Sequence, residues 1–304
     1  MSLFASAMAF GADTASTISL LNQGRVDEVL ASLQNKDDAE SHNLKARAYY
    51  AEDKTDEAIR EAEKSVELAP SNALYHLWLG RAYGQKAEKV NVFKQAGLAG
   101  KVREQFEKAV QLDGNNAAAR ADLAEFYTDA PGMMGGGTDK AKAQADAIAK
   151  SDAATAKFIE AKLAEKAKDY GVAEKKYREA IEASKTPAEQ WLNLAAFYKD
   201  RKQLREMQDA IRKAAGAPHK SSAVLSDAAE MLFSAGQDFG FALELAKKYL
   251  AAADKSEDAP AFKTRVLLGR ILEKQGDHAG AMKEYQAAVS MAKDYEPARK
   301  AAGR

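Results

Sequence analysis

The 304 residues, 30% of them charged, hold no run near the ~20 apolar residues that a membrane-spanning helix needs. Basic and acidic residues balance at 45 each and alternate along the chain, unlike the concentrated positive charge of a nucleic-acid binder. The lack of cysteine excludes disulfides, thiolate metal sites, iron–sulfur clusters and cysteine nucleophiles.

In chain order, the opening LFASAMAFGADTAST is weakly apolar and uncharged until Asp13. Ala7-Met8-Ala9 fits the small-x-small pattern read by signal peptidase. Residues 1–13 are therefore expected to be the disordered tail of a trimmed export signal, with a periplasmic or otherwise exported protein behind it. An ordinary terminus on a cytoplasmic protein is the plainer alternative.

Beyond it the chain repeats itself. A half repeat is expected near 16–35, then full repeats near 39–72, 73–116, 117–153, 154–187, 188–221, 222–260 and 261–295. Each begins with a helix carrying a small residue and then an aromatic three positions on: Ala46 and Tyr49, Gly80 and Tyr83, Ala124 and Tyr127, Ala195 and Tyr198. In the last copy Gly269 is followed by Leu272 in the aromatic slot. The second helices, in AIREAEKSVELAPSN from Ala58, VREQFEKAVQLDGNN from Val102, AEKKYREAIEA from Ala173 and AMKEYQAAVSM from Ala281, share an i, i+4, i+7 stripe. The tail YEPARKAAGR reads as the start of a solvating end helix.

Trp191, Leu194, Ala195 and Tyr198, with Ala173, Tyr177 and Ala180 in another copy, resemble the tetratricopeptide repeat pattern W-x2-L-G-x2-Y then A-x3-F. Pro70 and Pro187 fall where such repeats close. The resemblance covers nearly the whole chain. It implies an all-α, right-handed α-solenoid of antiparallel helix pairs, about seven full repeats plus a terminal half repeat, as a single domain over 14–304. The Gly or Ala slot is then where the two helices of a repeat cross closely, and a larger side chain would overpack by ~1–3 kcal/mol. LYHLWLGRAYG with FYTDAPGMMGGG also resembles exported bacterial members of the family.

Two repeats break the period. Ten extra residues around GQKAEKVNVFKQAGLAGK are expected to lengthen both helices or to add a small turn of helix at the repeat's tip, leaving Val90, Val92, Phe93 and Leu98 without a place in the pattern. The second break is DAPGMMGGGTDK, in which Gly135, Gly136 and Gly137 permit unusual backbone or close approach to a ligand. It is not a phosphate-binding loop, since no strand precedes it and Lys140 follows Thr138. The expectation is a loop folded back on the repeats, with Met133 and Met134 packed or facing a partner. Phe93, Met133, Met134 and the three glycines form a candidate insertion-edge contact.

No catalytic constellation or metal set stands out among the four histidines. His42 and His76, one repeat apart, would lie about 10 Å from each other, too far to share a metal. The chain is therefore read as a non-catalytic interaction scaffold without cofactor, binding a peptide or protein. Groove candidates on the first helices are Asn43, Arg47, Tyr50, Leu77, Arg81, Glu125, Phe158, Lys162 and Asn193. Arg47 and Arg81 would form a basic pair suited to a peptide carboxylate. The strict carboxylate clamp of co-chaperone members is disfavoured, because the Asn that should accompany these arginines is missing. The alternative is carriage of an apolar small molecule or lipid, for which Leu77, Phe93, Met133, Met134 and Phe158 are the hints.

Overall fold

A computed structural model describes residues 13–304, without the Phe93 side chain. The small-x-small motif at Ala7–Ala9 thus lies outside the described residues. Helix α1 covers 13–22 and α2 Val26–Ser32. Helix pairs follow: α3 (Ala39–Ala51) with α4 (Thr55–Leu68), α5 (Ala73–Lys89) with α6 (Val92–Leu112), and α7 (Ala117–Asp129) with α8 (Thr138–Ile148). Then come α9 (Ala153–Lys166) with α10 (Tyr170–Ala183), α11 (Ala188–Asp200) with α12 (Leu204–Gly216), and α13 (Ala223–Ser234) with α14 (Phe239–Ala251). The last are α15 (Ala261–Lys274) with α16 (His278–Met291), and the short α17 (Glu296–Ala301).

The helices start where they do because short polar side chains cap them. Asp38 accepts from the Ser41 N–H, Asn116 from Ala119, Asp152 from Thr155 and Asp277 from Gly280, at 2.8–3.0 Å. Inside a pair the two helices approach closely at the small-residue slot. A Cβ on Gly80 would stand 2.5 Å from the Phe106 ring, and one on Gly269 2.3 Å from that of Tyr285. The ten-residue insertion lengthens both α5 and α6, as its helical composition implies.

A second regularity is polar. His42 Nδ1 meets Glu61 at 2.7 Å and Arg265 Nη1 donates to Glu284 at 2.6 Å, each pair nineteen residues apart. His76 Nδ1 meets Gln105 at 2.7 Å across the same interval plus the insertion. Both histidines are buried, so they tie first helix to second within a repeat.

The chain forms two compact units, one of residues up to Glu61 with Ser221–Arg304, the other of Ala62–Lys220. In the first unit, Leu21, Val26, Val29 and Leu33 from α1, α2 and the following turn share a core with Phe262, Tyr285, Val289 and Tyr295. Ala298 of α17 is fully buried in that core. The tail forms the expected end helix, with Glu296, Arg299 and Lys300 exposed, and its buried face packs on the first helices. The apolar faces of the first and last helices cover one another, and ion pairs follow: Lys54 to Asp294 at 2.7 Å and Lys263 to Asp53 at 3.1 Å.

In the second unit the repeats are joined by a recurring bond. Tyr83 donates to Glu63 at 2.5 Å, Tyr127 to Glu107 at 2.7 Å and Tyr198 to Glu174 at 2.7 Å. Each tyrosine is the aromatic-slot residue of a first helix, and each glutamate lies on the second helix of the repeat before. Burial, helped by the bond to the Glu174 carboxylate, pushes the Tyr198 hydroxyl up to about 12. Glu107 is half exposed, so Tyr127→Phe is expected to cost only about 1 kcal/mol in urea unfolding. An aromatic row of Phe158, Tyr177 and Phe197, with centroids 5.6–6.3 Å apart, crosses α9, α10 and α11.

Candidate functional site

The groove candidates divide between the units. In the first, Asn43 and Arg47 are buried on α3 and Tyr50 is half-buried. The Arg47 guanidinium is held in a two-pronged contact with Glu257, Nε to Oε2 at 2.8 Å and Nη2 to Oε1 at 2.5 Å. In the second unit, Arg81 Nε donates to Asp122 at 2.6 Å while its guanidinium lies over the Trp78 ring. The basic pair expected for a ligand carboxylate is therefore corrected: each arginine already binds a carboxylate of its own chain. Sequence shows where a charge stands, not which neighbour neutralises it.

Leu77 belongs to the core, and Phe158 is half-buried against Tyr177. Asn193 donates to Gln190 on its own helix at 3.1 Å. Met133 is 93% exposed. Leu77 and Met133, both hints of an enclosed apolar lining, thus sit in opposite environments. The Phe93 side chain lies outside the described residues.

Glu125 and Lys162 remain. Glu125 forms no hydrogen bond or ion pair among the described residues, and its side chain reaches the surface. It stands on α7 between Asp122 and Asp129, at i−3 and i+4, so the three carboxylates share a helix face. Crowding that strips water from Glu125 raises its pKa above the usual carboxylate range. Asp129, Asp122 and Glu88 add to that rise, against the opposing Lys162. Of these carboxylates, sequence reading singled out only Glu125. The spacing in AARADLAEFYTD carried the signal for the other two on α7.

The insertion edge is built rather than loose. A 3-10 turn, Gly132–Met134, ends at Gly135 with φ +95°, a left-handed backbone suited to glycine. The Gly137 N–H then donates to the Tyr127 carbonyl at 2.8 Å, and Lys140 Nζ to the Gly135 carbonyl at 3.1 Å. A Cβ on Gly136 would fall 1.8 Å from the Ala130 carbonyl oxygen. The loop folds back on α6 and α7, with Met134 half-buried and Met133 displayed to solvent.

Helix pairs of this length, with a Gly or Ala at the crossing and an aromatic beside it, define a helical repeat protein of the scaffold class. Residues 43–87 and 262–295 match family models described as tetratricopeptide repeat. The chain thus carries tetratricopeptide repeats in these two stretches. No curated protein matches it in sequence. Among solved structures it is similar to a thermophilic TPR protein in Thermus thermophilus, at 16% identity and TM-score 0.47, over 73% of this chain and 98% of that one. It is also similar to a tetratricopeptide repeat protein from Parabacteroides merdae, at 16% identity and TM-score 0.40, over 87% and 97% of the chains. A third likeness, to a chain of the APC/C hetero-tetramer Cut9–Hcn1, has 11% identity and TM-score 0.42, covering 94% of this chain and 53% of that one.

Proposed function

We propose that the protein is a non-catalytic interaction scaffold, and that α7 of the second unit receives a partner segment bearing basic side chains. The observation that carries this reading is Glu125. It is an ion-unpaired carboxylate flanked by Asp122 and Asp129, and its repulsion from them is relieved when a cation arrives. Arg81 does not compensate, because it is bound to Asp122. Met133, on the pinned loop that follows α7, is displayed to solvent and offers an apolar contact of its own.

The test is calorimetric titration of the full chain with an unstructured peptide of alternating Lys and Gly, and with its Gln-for-Lys counterpart. The Lys peptide is expected to bind and the Gln peptide not, with affinity falling as salt rises. Glu125→Lys is expected to weaken binding by about tenfold or more while far-ultraviolet circular dichroism stays unchanged. Equal binding of both peptides, or an unaffected Glu125→Lys variant, would sink the proposal. Because the Glu125 pKa is raised, its negative charge is lost at a higher pH than that of a free glutamate. Binding should therefore weaken already on mild acidification.

A further inference from the structure

Glu52 follows α3 directly, in the first unit, and its side chain has no solvent exposure. Neither carboxylate oxygen has a hydrogen-bond partner among the described residues. An ionised carboxylate buried without hydrogen bonds is costly, and this one also sits at the negative end of the α3 dipole. Three segments meet around it. Its own loop supplies Lys54, whose Nζ is 3.4 Å from Oε2 but also binds Asp294 at 2.7 Å. Helix α2 supplies Asp27, whose carboxylate accepts the Lys293 backbone N–H at 3.0 Å. The turn after α16 supplies Asp294, which has Lys293 and, from α17, Arg299 beside it. Asp53, next in the chain, is turned to Lys263 at 3.1 Å.

Lys54, the one cation paired with Glu52 among the described residues, is thus shared with Asp294, while Asp27 and Asp294 both repel a charge on it. We propose that Glu52 is a proton-operated latch between α2–α3 and the segment from Lys293 to α17, closed when its carboxyl is neutral and loosened when it ionises. The signs of the neighbours agree. Burial raises the Glu52 pKa above that of the unfolded chain, so the folded state holds the proton more tightly, and stability falls as pH rises from the ordinary glutamate range. Lys54 lowers the Asp294 pKa, so that bond is present above the ordinary aspartate range and lost only in stronger acid. The contact is then tightest in mild acid, with Asp294 charged and Glu52 neutral.

Hydrogen exchange of the full chain at about pH 5 and about pH 8, read as protection factors for Val26–Ser32 and Glu296–Ala301, tests this. Wild type is expected to lose protection several-fold in both segments at the higher pH. Glu52→Gln should keep at both pH values the protection of wild type in mild acid. Lys54→Met, which leaves Glu52 without its cation, should deepen the loss. An equal loss in Glu52→Gln, no loss in wild type, or a loss unchanged by Lys54→Met would each overturn the latch.

Discussion

Replacing Glu257 with alanine is expected to destabilise the first unit by about 3 kcal/mol, because it strips a nearly buried guanidinium of its two-pronged partner. Arg47 is 9% exposed and Glu257 18%, so little water can take over the vacated role. The Glu257 N–H also donates to Asn22 Oδ1 at 3.2 Å, fixing the loop that carries the carboxylate. Urea unfolding followed by circular dichroism gives the number. The double variant Arg47→Met with Glu257→Leu is expected to recover most of the loss, since neither charge then remains to be desolvated. If the double variant were as unstable as the single one, the ion pair would be contributing net attraction rather than merely avoiding an orphaned charge.

The second large effect is expected at Gly136. A methyl group there would collide with the Ala130 carbonyl oxygen at 1.8 Å and crowd the Tyr127 carbonyl at 3.2 Å. Both neighbours are backbone at the end of α7, so no side-chain rotation relieves the clash. The loop must move, which breaks the bond from Gly137 to Tyr127. We expect Gly136→Ala to cost about 2 kcal/mol in urea unfolding, in the range of overpacking. The 3-10 turn and Met133 should lose hydrogen-exchange protection and fixed position together. Unchanged stability would mean that the turn has a second backbone path of equal energy.

Much of the repeat frame could be read from residues alone because each helix carries its own stripe. The small slot at Gly80 and Gly269 signals a close crossing without reference to anything distant, and the structure places Phe106 and Tyr285 against it. Lengthening of α5 and α6 was legible for the same reason, since the inserted residues keep helical character. The site was less legible. That Asp122, Glu125 and Asp129 share a face follows from helical spacing. That Arg81 binds Asp122 rather than Glu125, and that Lys162 is the cation acting on Glu125, depends on packing between repeats. The tyrosine-to-glutamate bonds were not legible, because the slot read only as an aromatic filler and one copy carries Leu272 there. The union of α1, α2 and α17 left no local mark, because the residues concerned are separated by more than two hundred positions.

That separation sets a timetable for synthesis. The first helices leave the ribosome with much of their apolar surface uncovered, because the distant residues of their core begin at Phe262. Between Glu61 and Ser221 lie 159 residues, which take roughly 8–30 s to make at 5–20 residues per second. The second unit is encoded wholly within that interval and can fold during it. The first unit, by contrast, cannot complete its core until the residues through Ala298 are made. During that wait Leu21, Val26 and Val29 have only Leu44, Ala48 and Ala51 of α3 to pack on, and the rest is hydrophobic surface of the kind that chaperones hold and aggregates recruit.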